Sequence, residues 1–512
     1  MRKVREHCAG VVLFAVVPAA AAGIGPPPAE EVRAEASART AIAAPNGAWH
    51  ARAGAPAALS PAQPETDARP PGWQPAPAGT GNGGLDWEWA VRTAVARYPE
   101  VRAARAEIAR QEDLLDAARA GYLPRVQARV TSGEQGEFGS GQVATLGVTQ
   151  VLYDFGKTRS AVRREQAGRQ RQEAALLAEM DEVVRGTAEA LIEAHRHQEL
   201  RRTHLERIAA LRRVQEMTEL RADAGVATRS DPLQARARVE AARSRLLQVE
   251  SQLREWRSRL ATYLGPGVPA DVAGAPAGFD EAARAVDPRD IERLPALQVA
   301  EAERARAEAD LENARAQRYP TLSLEANANR RLGPAGTRYE QIYGKSSYAT
   351  AFVSLSGGLY QGGALAAQSR ASANALQAAE ARLQAQRLMA QDELARQRER
   401  IAGIRDRMGL LEGRLHSITE TRALYWDQYL SLGTRNVLDL LGAEEEIAQA
   451  HDDLVNTRHD LWAAQLACLL AAGRVREAFG LEGAEHADGV AIAHGGAQAG
   501  SGRGGEGWNG GP

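Results

Sequence analysis

Two stretches of this chain, 157–223 and 364–431, run at helical spacing without a single proline. At 1.5 Å per residue each would form a helix of roughly 100 Å. No single globular core accommodates such rods, so they must lie side by side in an elongated molecule. Their apolar residues support this. Leu394, Ile401, Met408 and Leu415 step by seven, and Ile404, Leu411, Ile418 and Tyr425 follow three positions later. That is the a/d seam of a coiled coil. Val239, Leu246, Leu253 and Leu260 repeat it beside Ala235, Ala242 and Val249, and Ile447, Leu454, Leu461 and Cys468 beside Ala443 and Ala450. Small residues in one row let helices approach closely.

The chain is also duplicated. Residues 98–124 match 294–320, with Pro99 and Pro295, Glu107 and Glu303, Arg110 and Arg306, and Pro124 and Pro320 in register. Further on, Gly225, Asp231, Leu246 and Gly265 match Gly433, Asp439, Leu454 and Gly473 at an offset of 208. The offset grows through an insertion near 332–346. The repeats are assigned to 85–290 and 291–481. Each reads as a helix, a β-hairpin (123–153 and 321–360), a long helix (157–223 and 364–431), a turn, and a helix (232–264 and 436–472).

Strands of about ten residues can cross a bilayer when tilted. Four strands cannot close a barrel, and lipid does not tolerate open sheet edges. A trimer would supply twelve strands, within the range of such barrels. The flanks read differently. Residues 1–22 have the charged start, short apolar core and Ala20-x-Ala22 end of a secretory signal. Residues 23–84, rich in Pro and Ala, read as a disordered leader, and 482–512 as a flexible Gly-rich tail. Removal of the signal would leave Cys468 as the sole cysteine, so no internal disulfide is expected.

Several chemistries are set aside. Lys+Arg (63) balances Asp+Glu (65), which gives no signal for a nucleic-acid partner. Gly156-Lys157-Thr158 opens a helix after an apolar run, as a phosphate loop does, but Val151 stands where that loop needs its first glycine. Leu152, Tyr153, Asp154 and Phe155 are too bulky for a phosphate cradle, and Asp154 would repel the anion. His195, His197 and His204 are read as solvated helix surface rather than a metal site. Lys157 is read either as a solvated lysine or as a residue near the inner headgroups or channel surface. Glu444-Glu445-Glu446 is read as a solvated face open to an adaptor. No nucleophile–base set is found, so no enzyme, cofactor or metal is expected. Asp231, before Pro232, reads as a helix N-cap.

The arrangement resembles the TolC family of outer-membrane channel proteins. The resemblance covers about 85–481 and rests on GYLPRVQARV (121–130), RYPTLSLEA (318–326), VTQVLYDFGKTRSAVRREQA (148–167), VSLSGGLYQGGALAAQSRA (353–371), AGVATRSDPLQARARVEAARSRL (224–246) and LGTRNVLDLLGAEEEIAQAHDDL (432–454). It implies an α+β membrane protein: a trimeric twelve-stranded outer-membrane β-barrel, four strands per protomer, continuous with a periplasmic α-helical coiled-coil barrel. Gly156 and Gly363 would be the swivels where strand becomes helix. Asp231 and Arg435 would pair across the periplasmic turns to hold a gate closed, and Asp439 would contribute to the constriction ring. Gly442 stands where many members carry a second acid. The gate tyrosine of the family aligns nearer Leu430 than Tyr429.

The implied function is an export duct in the outer membrane, reaching into the periplasm. Its expected partners are two further copies, a periplasmic adaptor, an inner-membrane ABC exporter or proton-driven pump, and outer-membrane lipid. Type I protein secretion is the first expectation, multidrug or metal efflux the alternative, and a periplasmic coiled-coil scaffold the reading of another class.

Overall fold

A computed structural model describes residues 80–81, 84–134, 140–267, 271–332, 347–358 and 360–481. The signal peptide, most of the leader, the C-terminal tail and most of the inserted segment near 332–346 lie outside the described residues. Gly84, assigned above to the leader, instead belongs to a short pairing of Thr80–Gly81 with Gly84–Leu85.

The first repeat begins with α1 (Trp87–Arg97), capped by the Asp86 carboxylate, which accepts from the Trp89 N–H at 2.9 Å. Helix α2 (Pro99–Arg119) follows, with proline at its first turn, where no amide partner is lost. Strands β1 (Arg125–Glu134) and β2 (Ser140–Tyr153) lead to α3 (Lys157–Asp223), one unbroken helix of 67 residues. Helix α4 (Ser230–Leu264) returns beside it. After the short α5 (Phe279–Arg284), the second repeat gives α6 (Pro295–Ala316), β3 (Thr321–Leu332), β4 (Ser347–Ser356), α7 (Ala364–Asp427) and α8 (Val437–Ala471), and ends at α9 (Val475–Ala478). A π-helical turn, Gln428–Leu432, extends α7.

Helix α3 is the spine, in contact with α2, α4, α6 and α8, while α7 lies against α6 and α8. The heptad stripes are the contact lines: Leu394, Ile401, Leu411, Val239, Leu253, Leu260, Leu461 and Cys468 are buried. The largest core gathers where α1, α5 and α9 cap the middle of the long helices, around Trp87, Met180, Leu191, Phe279, Leu466 and Phe479. Full burial of each such side chain stabilises by about 1.5–3 kcal/mol. A second core, Ile208, Leu211, Val239, Tyr429 and Leu440 among it, lies at the far end beside the two interhelical turns.

The four strands form one antiparallel sheet in the order β1-β2-β3-β4. Leu146 of the first repeat stands opposite Ala328 of the second, so the repeats are joined across the middle of the sheet. Strands β1 and β4 are its edges.

Candidate channel lining and entrance turns

Register decides what each face of the sheet carries. Val126 stands opposite Val148, Val148 opposite Ala326, and Ala326 opposite Ala351. Ala128, Leu146, Ala328 and Ala349 form the next row on that face, and Leu324 and Val353 pair below it. These rows are apolar apart from Gln150 beside Leu324, with Arg330 and Ser347 on the row of Val130, and Val126, Val130, Leu146, Val353 and Leu355 are all at least half exposed. The other face is polar: Gln127, Gly147, Asn327 and Thr350 form one row, and Arg129, Thr145, Asn329 and Tyr348 another. The Thr145 hydroxyl donates to Asn329 Oδ1 at 2.7 Å. A sheet with apolar side chains bare on one face and polar ones on the other has the patterning of a transmembrane barrel, lipid outside and water inside.

Below the sheet, the strand-to-helix turn is held locally. Asp154 Oδ1 accepts from the Gly156 N–H at 2.9 Å and Oδ2 from the Thr158 N–H at 2.6 Å, which satisfies amides at the open start of α3. Gly156 has φ 96°, a left-handed conformation that glycine adopts without steric cost. Phe155 also has positive φ (56°), rare outside glycine. Its ring is held by stacking on Tyr319 at 5.0 Å and by an edge contact with Tyr153 at 4.7 Å. Lys157 is not a free solvated lysine: its Nζ donates to Thr321 Oγ1 at 2.8 Å and ties α3 to β3. The Thr158 amide is committed to Asp154 as well, so the triplet offers no phosphate cradle. At the matching turn of the second repeat Gly362 (φ 60°) and Gly363 (φ 85°) precede α7.

At the opposite end lie the two turns. Asp231 is not the N-cap: α4 starts at Ser230 with Arg229 at the cap, and Asp231 sits inside the first turn, where its charge complements the helix dipole. Its Oδ1 accepts from the Thr228 hydroxyl at 2.6 Å. Arg435 Nε donates to Gln428 Oε1 at 3.0 Å, its guanidinium lies 3.4 Å from Asp439 Oδ2, and it rests over the Tyr425 ring at 4.6 Å. Asn436 caps α8, accepting from the Asp439 N–H at 2.9 Å. Within one chain, then, Arg435 pairs with Asp439 and not with Asp231.

Tyr429 is buried in the turn cluster and Leu430 is 45% exposed. Both lie in the π-helical turn at 428–432. Burial pushes the Tyr429 phenol up; Arg221 opposes this and the nearby Asp231 carboxylate adds to it. The Arg221 guanidinium sits 4.6 Å from the centre of the Tyr429 ring and donates to the Tyr429 carbonyl at 3.3 Å. Sequence reasoning missed Arg221. The signal was available: it is the repeat counterpart of Tyr429 at the offset of 208.

A family model described as outer membrane efflux protein matches residues 90–266 and again 289–474, well over half of the chain and one match per repeat. The chain belongs to the outer membrane efflux protein family. Among curated relatives it is similar to the probable efflux pump outer membrane protein TtgC of Pseudomonas putida, 30% identical over 227 residues, 42% of this chain and 45% of that protein. The match therefore spans a little under half the length of that relative. Among solved structures it is similar to the outer-membrane channel OprN (22% identity, TM-score 0.66, 76% of this chain and 89% of that one). The outer membrane protein VceC of Vibrio cholerae is alike (19% identity, TM-score 0.65, 76% and 96%). The fold is accordingly the one these outer-membrane channels share, here a four-stranded sheet standing on long helices.

In this efflux-family protein the histidines are not solvated surface. His197 and His204 are buried, and His195 Nδ1 lies 2.8 Å from Nε2 of the fully buried His459. Nδ1 of His459 donates to the Val455 carbonyl at 2.7 Å. Burial pushes His459 down to about 3 and lowers His195 and His204 as well. His204 faces Asp452 at 3.8 Å in a polar cavity of about 330 Å³ between α3, α4 and α8. Among the described residues no three His, Cys, Asp or Glu converge in a metal-holding group. Of the triple glutamate only Glu446 is exposed as a solvated residue would be. Glu444 is buried 3.5 Å from Arg422, and Glu445 is paired with Arg207, so these two acids join α8 to α7 and α3.

Proposed function

We propose that three copies of the chain complete the barrel and form the outer-membrane duct of a tripartite efflux pump. The observation that carries this reading is the two-faced sheet with two open edges, standing on helices of 67 and 64 residues. Closing the edges between copies satisfies the backbone, and the apolar face meets lipid. The helices would carry the lumen through the periplasm to an adaptor and an energised inner-membrane transporter. No catalytic step is assigned to the chain. Gly156 and Gly363 act as swivels between strand and helix, and the turns carrying Asp231, Arg435 and Asp439 act as the gate.

Sequence motifs favoured type I secretion first. The efflux names carried by the curated relatives favour the alternative, and we adopt it. A periplasmic scaffold would account for the heptads but gives no reason for the apolar face of the sheet. Deleting the gene should sensitise cells to small toxic compounds. Loss of a secreted protein with unchanged sensitivity would favour type I secretion instead. For the gate, Arg435→Ala releases Asp439 and Tyr425 and should raise single-channel conductance; unchanged conductance in an assembled trimer would remove Arg435 from the gate.

A further inference from the structure

The polar face of the sheet is not neutral. Arg125, Arg129 and Arg331 lie on it, and Glu325 is its single acid within the paired rows 125–131, 143–151, 321–331 and 348–356. Elsewhere in the molecule arginines meet carboxylates across helices, as Arg163 meets Glu312 at 2.8 Å and Arg387 meets Glu292 at 3.0 Å. Arg125 and Arg129 are exposed, and among the described residues their side chains have no hydrogen-bond or ion-pair partner. Glu325 accepts from Ser323 instead.

Closing the barrel does not neutralise them. Strand β1, which carries both arginines, is an edge, and the edge it would meet in the next copy is β4. That strand, Ser347–Ser356, contains no charged residue. Counting only Arg125 and Arg129, three copies would therefore place six unpartnered arginines against three glutamates on the barrel wall. At the entrance turns, by contrast, Asp439 is already matched by Arg435 at 3.4 Å. The unpartnered charge of Arg125 and Arg129 on the described barrel wall is positive. Charge of one sign within low-dielectric walls focuses the field and concentrates the opposite ion.

We propose that the barrel lumen is an anion-selective filter set by Arg125 and Arg129, so that the duct favours anionic cargo such as carboxylates and phosphate esters. This rests on the duct reading above, which supplies the lumen. The test is the purified trimer in a planar bilayer under a KCl gradient. The reversal potential should show chloride more permeant than potassium by roughly threefold or more. Changing Arg125→Glu and Arg129→Glu together replaces six arginines of the trimer with six glutamates, and the selectivity should change sign. The milder pair Arg125→Gln and Arg129→Gln should bring it close to unity and serves if the glutamate variant does not insert. A potassium-selective wild type would overturn the proposal. So would chloride selectivity that survives both pairs but is lost in Arg435→Gln, which would place the filter at the entrance. A correctly folded protein with no conductance would instead overturn the duct itself.

Discussion

Acidification should destabilise this protein through one buried ring. The His459 side chain is fully buried between the Val455 carbonyl at 2.7 Å, His195 at 2.8 Å and the Trp462 ring at 4.6 Å. Burial, His195, Arg196 and Arg458 all oppose its protonation, which holds it at about 3 against an ordinary 6.5. The folded value is depressed, so between those two values the unfolded chain binds the proton and the folded one does not. Stability is full above pH 6.5 and falls as pH drops toward 3. At pH 5 the unfolded chain gains about thirtyfold in proton binding over the folded one, a loss of about 2 kcal/mol per chain. The assay is thermal unfolding of the detergent-solubilised protein, followed by circular dichroism at pH 7 and pH 5, for the wild type and His459→Gln. Glutamine can keep a hydrogen bond to His195 but cannot titrate. It should cost about 1–3 kcal/mol at pH 7 and remove about 2 kcal/mol of the difference between the two pH values. A wild-type midpoint that does not move, or a variant that falls just as far, would refute the reasoning. The comparison isolates His459 from His204, which burial also lowers and which would contribute equally to both proteins.

Two further tests address the sheet and its junction. Ala351→Arg puts a cation in the middle of the apolar face and should cost about 2–4 kcal/mol and lower the yield of inserted trimer, whereas Thr350→Arg, one residue away on the polar face, should insert normally; equal yields would mean the faces are misassigned. Gly156→Ala should cost about 1–3 kcal/mol, because φ is 96° while an added Cβ would meet nothing within 4 Å, so the loss is conformational and Gly156→Asn should recover part of it. Thermal midpoints of the two variants give the comparison, and an alanine variant as stable as the wild type would mean the turn relaxes.

The elements and their order were legible because they depend on local spacing. Period seven in 394–425 sets a coiled-coil stripe whatever it packs against, and prolines at 124 and 320 end helices before strands wherever the chain goes. Duplication was legible for the same reason, and with it the paired glycines at 225 and 433, which adopt φ 72° and 60°. The tertiary structure alone decided which distant side chains meet. His195 and His459 are 264 residues apart, and each looks like an ordinary polar residue on its own helix until the two faces are brought together. Glu444 reads as solvent-facing in a run of three acids, and only the approach of α7 buries it against Arg422. Arg435 has acids available in both turns, and the turn that leads into the Asn436 cap of α8 places Asp439 within its reach. Strand register is the plainest case: sliding one strand by a single residue would exchange its lipid-facing and lumen-facing side chains, and pairing across the sheet is what settles that parity.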